Sequence, residues 1–92
     1  MGHQMAEVVI PRMLADLVDY GRSVQVEGST VRQVLEALTA KHPELRVHLF
    51  DENRRLREHV RCFRNDRSAN LEDIVAAGDR VTVLQAVSGG RG

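Results

Sequence analysis

Glu27-Gly28-Ser29-Thr30-Val31-Arg32-Gln33-Val34-Leu35-Glu36-Ala37-Leu38-Thr39-Ala40-Lys41-His42-Pro43 is the stretch on which the fold turns. Gly28 ends whatever precedes it, and Ser29 or Thr30 can cap a helix, because a short side-chain oxygen there accepts a bond from an orphan backbone N–H. Thr30 and Gln33 stand at the spacing of a capping box. Val31, Val34, Leu35 and Leu38 then fall at i, i+3, i+4 and i+7, which lays one apolar stripe along a helix. Pro43 lacks the N–H that a further turn needs, so the helix ends near Lys41-His42. A helix with a single stripe needs one surface to cover, and the flanking sequence supplies it as strands.

On the N-terminal side, Val8-Val9-Ile10 is a short apolar run ended by Pro11, read as a buried first strand. Ser23-Val24-Gln25-Val26-Glu27 alternates polar and apolar, as a half-buried strand does. Between them, Met13, Leu14, Leu17 and Val18 have a spacing that a helical turn would give, but the run is short and residues 12–22 are read as a wide connection. On the C-terminal side, residues 44–58 are polar and arginine-rich, a surface connection with room for one more turn of helix or a short strand. Val60-Arg61-Cys62-Phe63-Arg64 is strand-like, and Asn65-Asp66 supplies a turn. Leu71, Ile74 and Val75 are expected to pack on the core. Gly78-Asp79 turns the chain into a last strand, Val81-Thr82-Val83-Leu84.

The order is therefore strand, strand, helix, strand, strand. A helix that carries the chain from a hairpin to a strand beside it makes a crossover, and the outcome is a mixed sheet with one main helix across one face. This α+β arrangement is the β-grasp, the fold of ubiquitin. The domain is expected to span residues 6–88, with 89–92 as a glycine-rich tail. The other sheet face is left to solvent or to a partner.

Composition narrows the function. The chain has 92 residues, enough for one core, and is 42% hydrophobic and 28% charged, too apolar for a disordered chain. Basic and acidic residues balance at 13 each, which argues against general nucleic-acid or anionic-membrane binding. Lys41 is the one lysine among those 13 cations. A single cysteine, Cys62, cannot form an internal disulfide, no apolar run has the length of a membrane span, and Met1 to Met5 lacks the features of a signal peptide; the expected location is the cytoplasm.

The end of the chain, Gln85-Ala86-Val87-Ser88-Gly89-Gly90-Arg91-Gly92, makes the reading specific. A β-grasp whose last strand runs into a diglycine resembles the MoaD/ThiS-type ubiquitin-like sulfur carriers, from about Val8 to Gly90. Glu27-Gly28-Ser29-Thr30-Val31, Val34-Leu35, Pro43-Glu44-Leu45 and Gly78-Asp79-Arg80-Val81-Thr82-Val83 carry the likeness along the chain. The resemblance implies a carrier with no catalytic residue of its own. Its terminal glycine carboxylate is adenylated by a ubiquitin-activating-type adenylyltransferase, which uses the ATP, and becomes a thiocarboxylate that serves a sulfur-accepting synthase. Glycines suit such a tail because, without a Cβ, they thread a narrow channel and leave the carbonyl open. By that likeness Gly90, with Gly89, is the activated end. Carriers active as encoded stop at the second glycine, whereas this chain continues with Arg91-Gly92. Three readings follow: a protease cuts between Gly90 and Arg91, Gly92 is itself activated, or Arg91-Gly92 is foreign to the natural chain. Trimming is preferred, since an arginine would obstruct a channel shaped for glycine.

Partner docking is assigned to Phe63 and Arg61 on the sheet and to Val87 and Ser88 at the start of the tail. Phe63 points away from Val60 and Cys62 if the strand alternates. Other features read as structural. Cys62 lies in the apolar register of its strand, so a core thiol is favoured over a persulfide site. His59 with Cys62, and His42 with His48, lack the spacing and further ligands of a metal site, and no tightly bound cofactor is expected. Gly28-Ser29-Thr30 can hold an anion at a helix start, but a plain N-cap explains it. Arg54, Arg55, Arg57, Arg61, Arg64 and Arg67 are interleaved with acids, as on a solvated face. Two other functions compete: a protein modifier joined to a target through its glycine, and a binding β-grasp domain with an inert tail.

Overall fold

A computed structural model describes residues 5–18, 21 and 23–85. Five strands form one mixed sheet: β1 (Met5–Val9), β2 (Ser23–Glu27), β3 (Val60–Arg64), β4 (Arg67–Ala69) and β5 (Arg80–Gln85). Their order is β2-β1-β5-β3-β4, with β1 and β5 parallel and every other pair antiparallel. α1 (Arg12–Val18) links β1 to β2, and α2 (Val31–Lys41) crosses the sheet. After it come a 3-10 turn at Pro43–Leu45 and α3 (Arg46–Leu49). No helix among the described residues is long and apolar enough to cross a membrane.

The core lies between α2 and one face of the sheet. Val31, Val34, Leu35 and Leu38, the stripe read from the sequence, are all fully buried. They meet Ala6, Val8, Val24, Val26, Val60, Cys62, Val81 and Val83, which alternate inward along four strands. Burial of each Val or Leu of the stripe contributes about 1.5–3 kcal/mol, so α2 is held by packing more than by its own propensity.

The start of α2 is fully bonded. Thr30 Oγ1 accepts from Gln33 N at 3.1 Å, as a capping residue should. Gln33 Oε1 reaches back to Ser29 N at 2.8 Å, one residue earlier than the box predicts. The remaining first-turn donors go to backbone: Val31 N to Asp73 O, Arg32 N to Leu71 O and Val34 N to Thr30 O. With these first-turn donors bonded within the chain, Gly28-Ser29-Thr30 serves as an N-cap. Gly28 is dictated by proximity, because a Cβ there would sit 2.7 Å from Val34 N and 2.8 Å from Val34 Cγ2.

Four expectations change. Residues 12–18 of the supposed connection form α1, started by Pro11, whose carbonyl accepts from Leu14 N and Ala15 N. It buries Leu14, Ala15 and Val18 and leaves Met13 and Leu17 exposed, so a two-turn amphipathic pattern was sufficient once the 3-10 turn at Pro43–Leu45 supplied a surface. The sheet gains β4, a three-residue strand brought beside β3 by the Asn65-Asp66 turn, where Asn65 takes φ 56°. The first strand is displaced as well: it begins at Met5 and ends at Val9, leaving Ile10 buried just beyond it. Ile74 is not a core residue. It bridges to Thr30 and is 69% exposed, while Val75 alternates inward and is fully buried.

The polar 44–58 segment also contributes to the core. Leu45 and Leu49 are fully buried from the 3-10 turn and α3. Asp51 Oδ1 then accepts from Asn53 N and Arg55 N, an Asx-type turn that supports Arg54 at φ 64°.

Candidate functional site

The register of the sheet assembles the uncovered face. One row crosses all five strands: Ser23 opposite Val9, Val9 opposite Thr82, Thr82 opposite Phe63, and Phe63 opposite Ser68. Val9, Thr82 and Phe63 are half-buried. Two residues further along β5, Leu84 stands opposite Arg61 and is 44% exposed. In the other direction, Gln25, Glu7 and Arg80 make a polar row. Glu7 accepts there from Ser23 Oγ at 2.5 Å and from Arg80 Nε at 2.9 Å. Those hydrogen bonds, Ser23's first and Arg80's second, hold the Glu7 carboxyl below its ordinary value.

The row at Arg80 is ionic, while the rows from Thr82 to Leu84 carry Val9, Phe63 and Leu84; Met5, on the same face of β1 beyond Glu7, is also exposed. The described chain stops at Gln85, opposite Val60, one residue past Leu84. Beside this point, Arg61 donates from Nη1 to Glu58 O at 2.7 Å and to Val60 O at 3.3 Å. Both acceptors are carbonyls, and no carboxylate among the described residues compensates the Arg61 charge.

The start of β5 is clasped by Asp79. Its carboxylate accepts from Ala76 N at 2.9 Å, Asn65 Nδ2 at 3.1 Å and Arg64 Nη1 at 3.1 Å, and these bonds lower its pKa, the Ala76 bond most. The clasp ties the β3–β4 turn to the turn at Gly78, which takes φ 85°. That conformation suits a residue without Cβ.

Phe63 and Arg61 thus lie on the open face, one in the cross-strand row and one at the tail exit. Val87, Ser88, Gly89, Gly90 and Arg91 lie outside the described residues. Thr82, Val9 and Leu84 complete the face and were not singled out from the sequence. The alternation in Val81-Thr82-Val83-Leu84 signalled two of them, but only the register shows what they stand beside. Cys62 is 2% exposed, and burial pushes its thiol up to about 11, so it holds its proton at neutral pH. No group of three His, Cys, Asp or Glu among the described residues is placed to hold a metal. His59 lies in the turn before β3, not on a strand as its pairing with Cys62 supposed. The arginine cluster also disperses: Arg54 pairs with Glu36, Arg64 with Asp79, and Arg57 donates to Val47 O.

With this geometry in place, known proteins give the affiliation. A family model described as the ThiS family matches residues 12–90. The chain belongs to the ThiS family. It is 36% identical over 84 residues to small archaeal modifier protein 1 of Haloferax volcanii, covering 86% of this chain and 97% of that one. It is 33% identical over 89 residues to sulfur carrier protein CysO of Mycobacterium tuberculosis, covering 90% and 96%. In structure it matches the crystal structure of the Haloferax volcanii protein with a TM-score of 0.84 at 32% identity, covering 94% of this chain and 99% of that one. A chain of the Amycolatopsis orientalis BexX/CysO complex matches with a TM-score of 0.82 at 29% identity, covering 92% and 99%. The fold is the β-grasp of these ubiquitin-like carriers and modifiers, which are small partner proteins and not catalysts.

Proposed function

We propose that this ThiS-family chain is a sulfur carrier whose Gly90 carboxylate, exposed by removal of Arg91-Gly92, is adenylated by a partner and converted to a thiocarboxylate. The observation that carries the reading is where the family match ends: at Gly90, leaving Arg91-Gly92 beyond it. A carboxylate resists attack until one oxygen becomes a good leaving group. Adenylation with ATP supplies that group, and a sulfur donor then displaces AMP. The ionised thiocarboxylate sulfur is a nucleophile for an acceptor held by a synthase, in cofactor, cysteine or secondary-metabolite assembly. Catalysis stays with those cytoplasmic partners; the carrier supplies tethering and recognition. Phe63 with Val9, Thr82 and Leu84 would dock the adenylating partner, Arg61 would meet an acidic group at its channel mouth, and Val87 and Ser88 would lead the glycines in. An exposed apolar patch near the start of the tail suits such docking.

A second reading, a modifier joined to target amines, is favoured by the 36% identity to a protein named as a modifier. It shares the activated tail and differs in the nucleophile that takes it. Intact mass and C-terminal fragment ions of the chain purified from its own host separate the outcomes. A chain ending at Gly90 with one oxygen replaced by sulfur supports the carrier, and conjugates on unrelated proteins support the modifier. A chain that always ends at Gly92 with an ordinary carboxylate, with no conjugates, overturns both.

A further inference from the structure

β3 is longer than the strand that covers its outer edge. It pairs with β5 from Val60 to Arg64, but with β4 only from Cys62 to Arg64. After Ala69 the chain turns away toward α2: Asn70 N donates to Asp73 Oδ2 at 3.0 Å, and Arg32 N donates to Leu71 O at 2.9 Å. A solvent-open cleft of about 510 Å³ is left between the edge of β3, the end of β4 and the start of α2. Val60, past the β4 ladder, has its backbone bonded within the chain. Its N–H donates to Arg57 O at 2.9 Å, and its carbonyl accepts from Arg61 Nη1 at 3.3 Å. Strand addition therefore gains little at Val60, and an occupant of the cleft has to be recognised by side chains.

Those side chains are of two kinds. Leu56, Ala69 and Leu71 are half-buried against the core cluster and give the cleft an apolar lining. Arg32 and Arg61 bring two guanidiniums, against the one carboxylate of Glu72. Arg61 uses Nη1 on the carbonyls of Glu58 and Val60, and no carboxylate among the described residues pairs with it. Glu72 meets Arg32 through a single oxygen, 3.4 Å from Nε and 3.3 Å from Nη2, and its side chain is 76% exposed. So open and long a contact contributes little and yields to a better acceptor. The lining thus combines apolar surface with an excess of positive charge carried by guanidiniums, whose forked donors match a carboxylate.

We propose that this cleft is a docking site for a segment of a partner protein that carries carboxylates beside an apolar side chain. The apolar group covers Leu56 and Leu71, one carboxylate engages Arg61, and another replaces Glu72 on Arg32. The site lies on the side of β3 away from β5, so its occupant leaves Val9 and Thr82 on the open face uncovered. One protein can then hold the chain while another meets that face. Nothing in this contact involves the tail, so the inference stands apart from the adenylation reading.

The test titrates the full, isotope-labelled chain with a blocked pentapeptide of alternating aspartate and leucine, DLDLD, followed by two-dimensional NMR. Amide shifts are expected to saturate at Ala69, Asn70 and Leu71 and to stay small at Val9 and Thr82. Arg61→Gln should weaken binding about tenfold through loss of a charge-assisted pair. Glu72→Gln should tighten it about threefold, because the competing carboxylate is gone. A gain of affinity cannot come from misfolding, and an unchanged melting temperature checks the Arg61 variant. The same peptide with alanine for leucine, or with lysine for aspartate, should bind at least about tenfold more weakly. Shifts centred on Val9 and Thr82, or equal binding of the lysine peptide, overturn the inference. So does a Glu72→Gln variant that binds no better, or a wild-type chain that shows no saturation with millimolar peptide.

Discussion

Replacing Gly28 with alanine tests how tightly the α2 start is fixed. The new Cβ would lie 2.7 Å from Val34 N, 2.8 Å from Val34 Cγ2 and 3.1 Å from Gln33 C. Two of these three atoms are backbone, so a rotamer change cannot relieve the contact. The helix itself would have to move by several tenths of an ångström, against the bonds from Val31 to Asp73, Arg32 to Leu71 and Gln33 to Thr30. Overpacking of this kind costs about 2–3 kcal/mol, the upper part of its usual range. Alanine also lowers the entropy of the unfolded chain, which offsets about 0.4–1 kcal/mol. The net loss is about 2 kcal/mol, or about 8–16 °C in Tm for a domain of this size. Urea unfolding followed by circular dichroism measures it directly, which suits a chain without tryptophan. A loss below about 0.5 kcal/mol would refute the argument, because it would mean that α2 slides freely on loop 71–75.

Other consequences can be checked as directly. Phe63→Ala should weaken binding to the adenylating partner by about 2 kcal/mol, roughly 30-fold in Kd by titration calorimetry, with little loss of stability; unchanged affinity removes Phe63 from the docking surface. Glu7, Asp51 and Asp79 all have lowered folded-state pKa values, from ordinary values of 4.5, 3.8 and 3.8. Below those values the unfolded chain binds protons first, so stability that is full above about pH 5 should fall as pH drops through the folded values. Asp79→Asn should show a smaller difference in unfolding free energy between acid and neutral pH than wild type; an equal difference would acquit the clasp. Cys62, buried with its thiol raised to about 11, should resist iodoacetamide in the native state and react on unfolding. Fast native alkylation would place it at the surface.

Legibility in the sequence followed the strength of local pattern. α2 was readable because its stripe repeats over two turns and has a cap and a stop within the same seventeen residues, 27–43. α1 was not, since its short run of Met13, Leu14, Leu17 and Val18 forms a helix only against a distant part of the chain, the Pro43–Leu45 turn on which it packs. β4 has three residues and no alternation to see; it exists because the Asn65-Asp66 turn folds it against β3. Ile74 was misplaced because composition says that an isoleucine prefers the core, whereas the Thr30 bridge fixes which of Ile74 and Val75 faces inward. At the site, the diglycine is local and was visible. The face that leads to it is an accident of register among β1, β3 and β5, three strands far apart in sequence, and no local pattern encodes that.

The polarity of the open face has a further physical rationale. An uncovered sheet invites self-association at its edges, where strand backbone is unpaired. Here one edge is the three-residue β4 and the other is β2, against which Lys41 places a charge over Gln25. The face itself carries charge at its far end, where Glu7 and Arg80 satisfy each other. The strip of Val9, Phe63 and Leu84 runs from mid-sheet toward the end of β5, and Met5, on the same face of β1, is exposed beyond Glu7. On the carrier reading proposed above, a partner bound to this strip would lie beside Gln85, the last described residue before the tail. Binding free energy gained there would then be gained close to the group that the proposal has react.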